Sequence, residues 1–110
     1  APFVRSGETM RLSNSECNLL RQAARDAFEP DVVLRLFGSR LDDARKGGDI
    51  DLLLETRMVD AAQIAKAQVR FLSRVYTLMV EQKIDLLIDY PVRQQRPPIF
   101  EIARSQGVVL

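Results

Sequence analysis

Three short stretches of the chain carry residue types that can do chemistry. The first, Asp49-Ile50-Asp51, sets two carboxylates two residues apart. In a strand, alternate side chains share a face and stand about 6.6 Å apart along the chain. Two carboxylates so placed can converge on divalent cations, and hard oxygen ligands favour Mg²⁺ or Mn²⁺. Paired cations about 3.5–4 Å apart suit phosphoryl or nucleotidyl transfer, because they stabilise both the entering and the leaving oxygen. Without a cation, neighbouring carboxylates repel, and one of them tends to hold a proton. The plainer alternative is a solvated strand edge whose acids discourage aggregation.

The second stretch is Phe37-Gly38-Ser39, at the end of an apolar run. Glycine lets a backbone approach a ligand closely. Backbone N–H groups at a following helix start would offer an anion site, and the Ser39 hydroxyl adds a donor. Taken alone, the dipeptide reads first as an ordinary turn. The third feature is Asp85, the first outward residue of Ile84-Asp85-Leu86-Leu87-Ile88. If that strand lies beside the Asp49–Asp51 strand, a third carboxylate joins the pair. Asp89 is a rival on the same face, but it abuts the Tyr90-Pro91 exit, where a solvated carboxylate is expected. Each signal is modest, and their conjunction is more specific: a strand, Gly-Ser, nine residues, Asp-x-Asp in a strand, then an acid on a third strand.

Composition removes several competing chemistries. The 110 residues contain no histidine, so Ser-His and Cys-His pairs and imidazole metal ligands are excluded. A single cysteine, Cys17, forms no internal disulfide and points to a reducing setting, so a cytoplasmic location is expected. Sixteen Lys and Arg balance fifteen Asp and Glu. With only two tyrosines, that balance argues against a dedicated nucleic-acid surface. No run approaches the roughly 18 apolar residues of a membrane span, and no secretory leader is expected.

The elements that must position these residues follow from periodicity. Residues 1–10 have no period and read as a loose arm, with an edge strand at Phe3-Val4. Residues 11–110 read as one domain. Ser13 and Glu16 have capping-box spacing, and Leu12 and Cys17 have staple spacing. Leu20, Ala23, Ala24, Ala27 and Phe28 continue a helix to about Glu29, before Pro30. Asp31 to Phe37 reads as a strand. Residues 40–48 are a polar loop with a helical turn at its start. Asp49 to Glu55 is a second strand, and Asp60 to about Gln82 the longest helix. Lys83 to Asp89 is a third strand. Pro98 opens a short helix that Gly107 stops, and Val108-Val109-Leu110 reads as an edge strand. The order predicts an α+β fold, a small mixed sheet with helices packed on one face. Exposed strands at either end would allow a homo-oligomer.

The run Leu36-Phe37-Gly38-Ser39-Arg40, then Asp42-Asp43, then Gly47-Gly48-Asp49-Ile50-Asp51-Leu52-Leu53-Leu54-Glu55, resembles the nucleotidyltransferase superfamily of the DNA polymerase β type. The chain is most similar to its minimal nucleotidyltransferases, and Lys83-Ile84-Asp85-Leu86-Leu87 resembles their third-carboxylate strand. Pro98-Ile99 through Ala103-Arg104 and Gly107 to Leu110 look like the tail of one such group. The nine-residue spacer is slightly shorter than the commonest family form. The resemblance implies that Gly38, Ser39 and Arg40 hold the triphosphate of a nucleotide, with ATP as donor. It implies that Asp49, Asp51 and Asp85 ligate Mg²⁺ or Mn²⁺, Asp85 on the acceptor side. It implies NMP transfer to a hydroxyl with release of pyrophosphate. It also implies a helical partner protein encoded nearby, which the transferase would neutralise as an antitoxin by attaching AMP. The alternative is a non-catalytic module that caps such a partner, with Ile99, Phe100 and Ile102 as apolar anchors.

Overall fold

Ser13 starts the first helix for the reason its spacing suggests. Its hydroxyl accepts from the Glu16 N–H at 3.1 Å, and the Glu16 carboxylate accepts from the Ser13 N–H at 2.8 Å. Two otherwise orphaned donors are satisfied reciprocally. Leu12 and Cys17 are both buried beside this cap, as a staple requires. The computed structural model describes residues 12–38, 49–79 and 83–110, with Asp49 through its backbone alone. The arm at 1–10 and the loop expected at 40–48 lie outside the described residues.

In chain order the elements are α1 (Asn14–Ala27), β1 (Val33–Phe37), β2 (Asp49–Glu55), α2 (Ala61–Leu78), β3 (Lys83–Asp89), α3 (Pro98–Gln106) and β4 (Val108–Val109). The described strands form a four-stranded sheet in the order β3-β2-β1-β4. β1 is antiparallel to β2 and to β4, while β2 and β3 run parallel, joined across α2. The expected mixed sheet of an α+β fold is therefore present. Most boundaries agree with the periodicity. The exception is α2, which stops at Leu78 rather than near Gln82. Met79 leaves helical geometry, and its side chain is buried. No helix among the described residues is long and apolar enough to cross a membrane.

Alternation in the strands divides the sheet into two faces. Leu34, Leu36, Ile50, Leu52, Leu54 and Ile84 enter one core with Leu20, Ala23 and Ala24 of α1 and Ile64, Ala67, Phe71 and Val75 of α2. The opposite face carries a second, smaller core, in which Phe37 and Leu53 pack with Phe100 and Ala103 of α3. Here the structure departs from the expectation that all helices share one face. α1 and α2 do so, whereas α3 covers the other side. The physical reason lies in β2 and β3: Leu53 and Leu87 point away from the main core, and an apolar pair there needs its own cover. Burying Phe100 alone contributes roughly 1.5–3 kcal/mol.

Beyond that apolar patch, the same face ends in an ion-pair network. Asp89, 7% exposed, receives Arg96 at 2.7 Å and Arg104 at 2.6 Å. Arg104 also reaches Glu55 at 3.1 Å, and Glu55 is paired with Arg35 of β1. Burial first, and the Arg104 charge beside it second, lower the Arg35 pKa from its ordinary value. The network ties β1, β2 and β3 to α3 at one end. Replacing Arg104→Met leaves the buried Asp89 carboxylate with one cationic partner. The expected cost is about 1–3 kcal/mol, read from urea unfolding. A midpoint equal to that of the wild type would show that the network adds nothing to stability.

Candidate functional site

The site is built from the parallel register of β2 and β3. That register pairs Asp49 with Lys83, Asp51 with Asp85, Leu53 with Leu87 and Glu55 with Asp89. Residues directly opposite in a parallel pair lie on the same face, on strands about 4.8 Å apart. Asp51 and Asp85 are therefore immediate neighbours on the α3 side of the sheet. Asp51 is half-buried and Asp85 exposed. α3 covers the Leu53 level but leaves the acidic end uncovered.

Gly38 closes this end from β1. Phe37, the last residue of β1, is paired with Asp51, so the chain turns at Gly38 directly against the aspartate. The glycine has φ +80°, a left-handed conformation that costs other residues about 1–2 kcal/mol. A Cβ at this position would overlap the Asp51 carboxylate and stand 3.0 Å from its Cγ. Two independent constraints thus demand glycine: the backbone angle, and the carboxylate pressed against it. The close approach seen here is to the chain's own Asp51 carboxylate, not to a ligand.

The remaining candidates divide by position. Asp49 opens β2 two residues before Asp51; its side chain, like Ser39 and Arg40, lies outside the described residues. Among the described residues, no group of three acidic or thiol side chains converges as a metal cage. Asp51 and Asp85 do provide adjacent hard oxygen donors, one of them open to solvent, beside a glycine backbone. That donor set fits Mg²⁺ or Mn²⁺. Asp89 requires a correction. It shares the face, as expected, but lies four residues beyond Asp85, about 13 Å along the strand. It is not solvated at the chain's exit but buried beneath Arg96 and Arg104. Arginines seven and fifteen residues downstream neutralise it, which strand position alone does not reveal. Cys17 is fully buried, and desolvation first and Glu16 second raise its pKa, so it is a packing residue.

Periodicity offered no signal for Tyr76. It sits near the end of α2 and is partly exposed, yet its hydroxyl accepts from the Ile84 N–H at 3.0 Å and donates to the Ile84 carbonyl at 3.4 Å. These bonds reach the main chain immediately before Asp85. The sequence matches no protein-family model and no curated protein.

Replacing Gly38→Ala tests the corner. Strain and overlap together are expected to destabilise the fold by roughly 1–3 kcal/mol, lowering the thermal midpoint by several degrees. The same substitution is expected to displace the Asp51 side chain. An unchanged midpoint in a calorimetric scan would contradict this account of the corner.

Proposed function

We propose that the chain is a metal-dependent nucleotidyltransferase, moving an NMP group, with ATP as donor, to a hydroxyl acceptor. One observation carries the reading: Asp51 and Asp85 stand side by side on parallel strands while Gly38 presses its backbone against Asp51. The resemblance of the Gly38-Ser39 and Asp49-Ile50-Asp51 motifs supports it, and so does the exclusion of histidine chemistry.

In this reading Asp51 and Asp85, with Asp49, hold Mg²⁺ or Mn²⁺. The bound cations would neutralise charge on the triphosphate and polarise the acceptor hydroxyl. The protein supplies positioning and electrostatics, the two main contributions in phosphoryl transfer. Gly38 and Ser39 present main-chain and hydroxyl donors to the triphosphate, and Arg40 adds positive charge. The acceptor oxygen bonds to the α-phosphorus, the α–β anhydride breaks, and pyrophosphate leaves. The hydroxyl proton passes to the exposed Asp85 carboxylate. The acceptor proposed is a hydroxyl on a helical partner protein, which places the chain in the cytoplasm as the antitoxin of a toxin–antitoxin pair.

Asp51→Asn keeps the shape of the side chain and removes its charge. Several kcal/mol of lost charge stabilisation corresponds to a fall in transfer of about 10²-fold or more. Intact-mass spectrometry of a candidate partner after incubation with ATP and Mg²⁺ checks both reaction and acceptor. A mass gain of AMP with wild type, absent with Asp51→Asn, is the expected result. Equal modification by both proteins would refute the reading.

A second reading treats the chain as a binding module. It rests on Ile99 and Ile102 of α3 and Val109 of β4, which remain exposed while Phe100 and Ala103 turn inward. Capture of the partner by the variant Asp49→Asn, Asp51→Asn, Asp85→Asn, together with its loss in Ile99→Ser, Ile102→Ser, is the outcome that favours binding without chemistry.

A further inference from the structure

We propose that Tyr76 is a positioning residue for Asp85: its phenol oxygen fixes the outer edge of β3 and so holds the Asp85 carboxylate beside Asp51. The inference rests on reading these two aspartates as metal ligands, and extends that reading to a residue outside the acidic set.

Among the described residues, β3 is an edge strand. In a strand, the main-chain groups of alternate residues point to opposite sides. The Asp89 carbonyl points toward the β2 side, where it accepts from the Thr56 N–H at 3.0 Å. Ile84 and Ile88 present their groups outward. The Ile88 carbonyl accepts from Arg93 at 3.4 Å, and the Ile84 N–H and carbonyl both meet the Tyr76 hydroxyl. Next to Asp85, the strand is held by β2 on one side and, among the described residues, by the Tyr76 phenol on the other.

The two ends of β3 are secured very differently. At the far end, Asp89 is gripped by Arg96 and Arg104, and Arg93 lies 4.5 Å from the centre of the Phe100 ring. At the acidic end, Asp85 is exposed, and among the described residues Tyr76 supplies the outer tether. Two like charges brought together repel. An edge strand can relieve that repulsion by peeling outward, which would separate the carboxylates. Bonds from the Ile84 main chain to a phenol on a long, well-packed helix oppose that motion. Tyr76 thus does for this carboxylate what an outer-shell partner does for a metal ligand.

The test compares wild type, Tyr76→Phe and Tyr90→Phe, each as the full chain. Tyr90→Phe removes the same atom from the other end of β3. Free Mn²⁺ followed by electron paramagnetic resonance gives the dissociation constant, and amide exchange by NMR reports on Ile84. Tyr76→Phe is expected to raise the Mn²⁺ dissociation constant about tenfold and to speed exchange at Ile84, with the thermal midpoint within a few degrees of wild type. In the transfer assay, the metal concentration for half-activation rises while kcat at saturating metal is retained. A purely structural loss would lower kcat with the folded fraction instead. Tyr90→Phe leaves the metal constants unchanged. If Ile84 exchange quickens in Tyr76→Phe while Mn²⁺ affinity stays that of wild type, the positioning role is overturned and the metal site stands. If wild type and Asp51→Asn bind Mn²⁺ equally, the metal site itself falls, and the role of Tyr76 with it.

Discussion

The parallel pairing of β2 with β3 is the constraint on which the molecule depends. Side-chain direction alternates with a period of two, so a slip of one residue would exchange the faces of an entire strand. Such a slip would drive Asp85 into the α1–α2 core and expel Ile84, Leu86 and Ile88. The buried row Ile50, Leu52 and Leu54 therefore fixes the register as firmly as any polar contact does. α2, packed through Ile64, Ala67, Phe71 and Val75, carries the chain across from β2 to β3. The acidic pair is thus a by-product of apolar packing on the reverse of the sheet.

The α3 face is divided along the strands into acidic, apolar and ion-paired levels. At one end stand Asp51 and Asp85. In the middle, Leu53 and Leu87 lie beneath Phe100 and Ala103, with Phe37 alongside. At the far end, Glu55 and Asp89 are met by Arg35, Arg96 and Arg104. β2 thus has acids at positions 49, 51 and 55 of this face, and β3 at 85 and 89. Glu55 and Asp89 are met by arginines, and Asp51 lies against the glycine corner. Where guanidinium groups reach a carboxylate, its charge is spent on holding the fold together.

Much of this was legible in the sequence, because it rests on local rules. The Ser13–Glu16 capping box, the seven-residue strands β2 and β3, and the Gly107 stop of α3 depend on neighbours within a few residues. The side of the sheet taken by α3 was not legible. It follows from Leu53 and Leu87 standing side by side, which only the register reveals. The fate of Asp89 was hidden for the same reason, since Arg96 and Arg104 return to it from the connector and α3. Tyr76 left no trace at all: one aromatic on the flank of a helix carries no periodic signature. The end of α2 was misplaced because its apolar stripe runs on through Met79, which the fold turns inward. Of the candidate site, Gly38, Asp51 and Asp85 come together, while Ser39, Arg40 and the Asp49 side chain lie outside the described residues.

The two borders of the sheet have a consequence for behaviour at high concentration. Among the described residues, β4 offers an incoming chain two residues of ladder. On the opposite border, a newcomer would have to evict the Tyr76 phenol at Ile84 and the Arg93 guanidinium at Ile88 before it could zip on. Growth of fibrils by stacking sheet upon sheet edge is thereby obstructed at both margins.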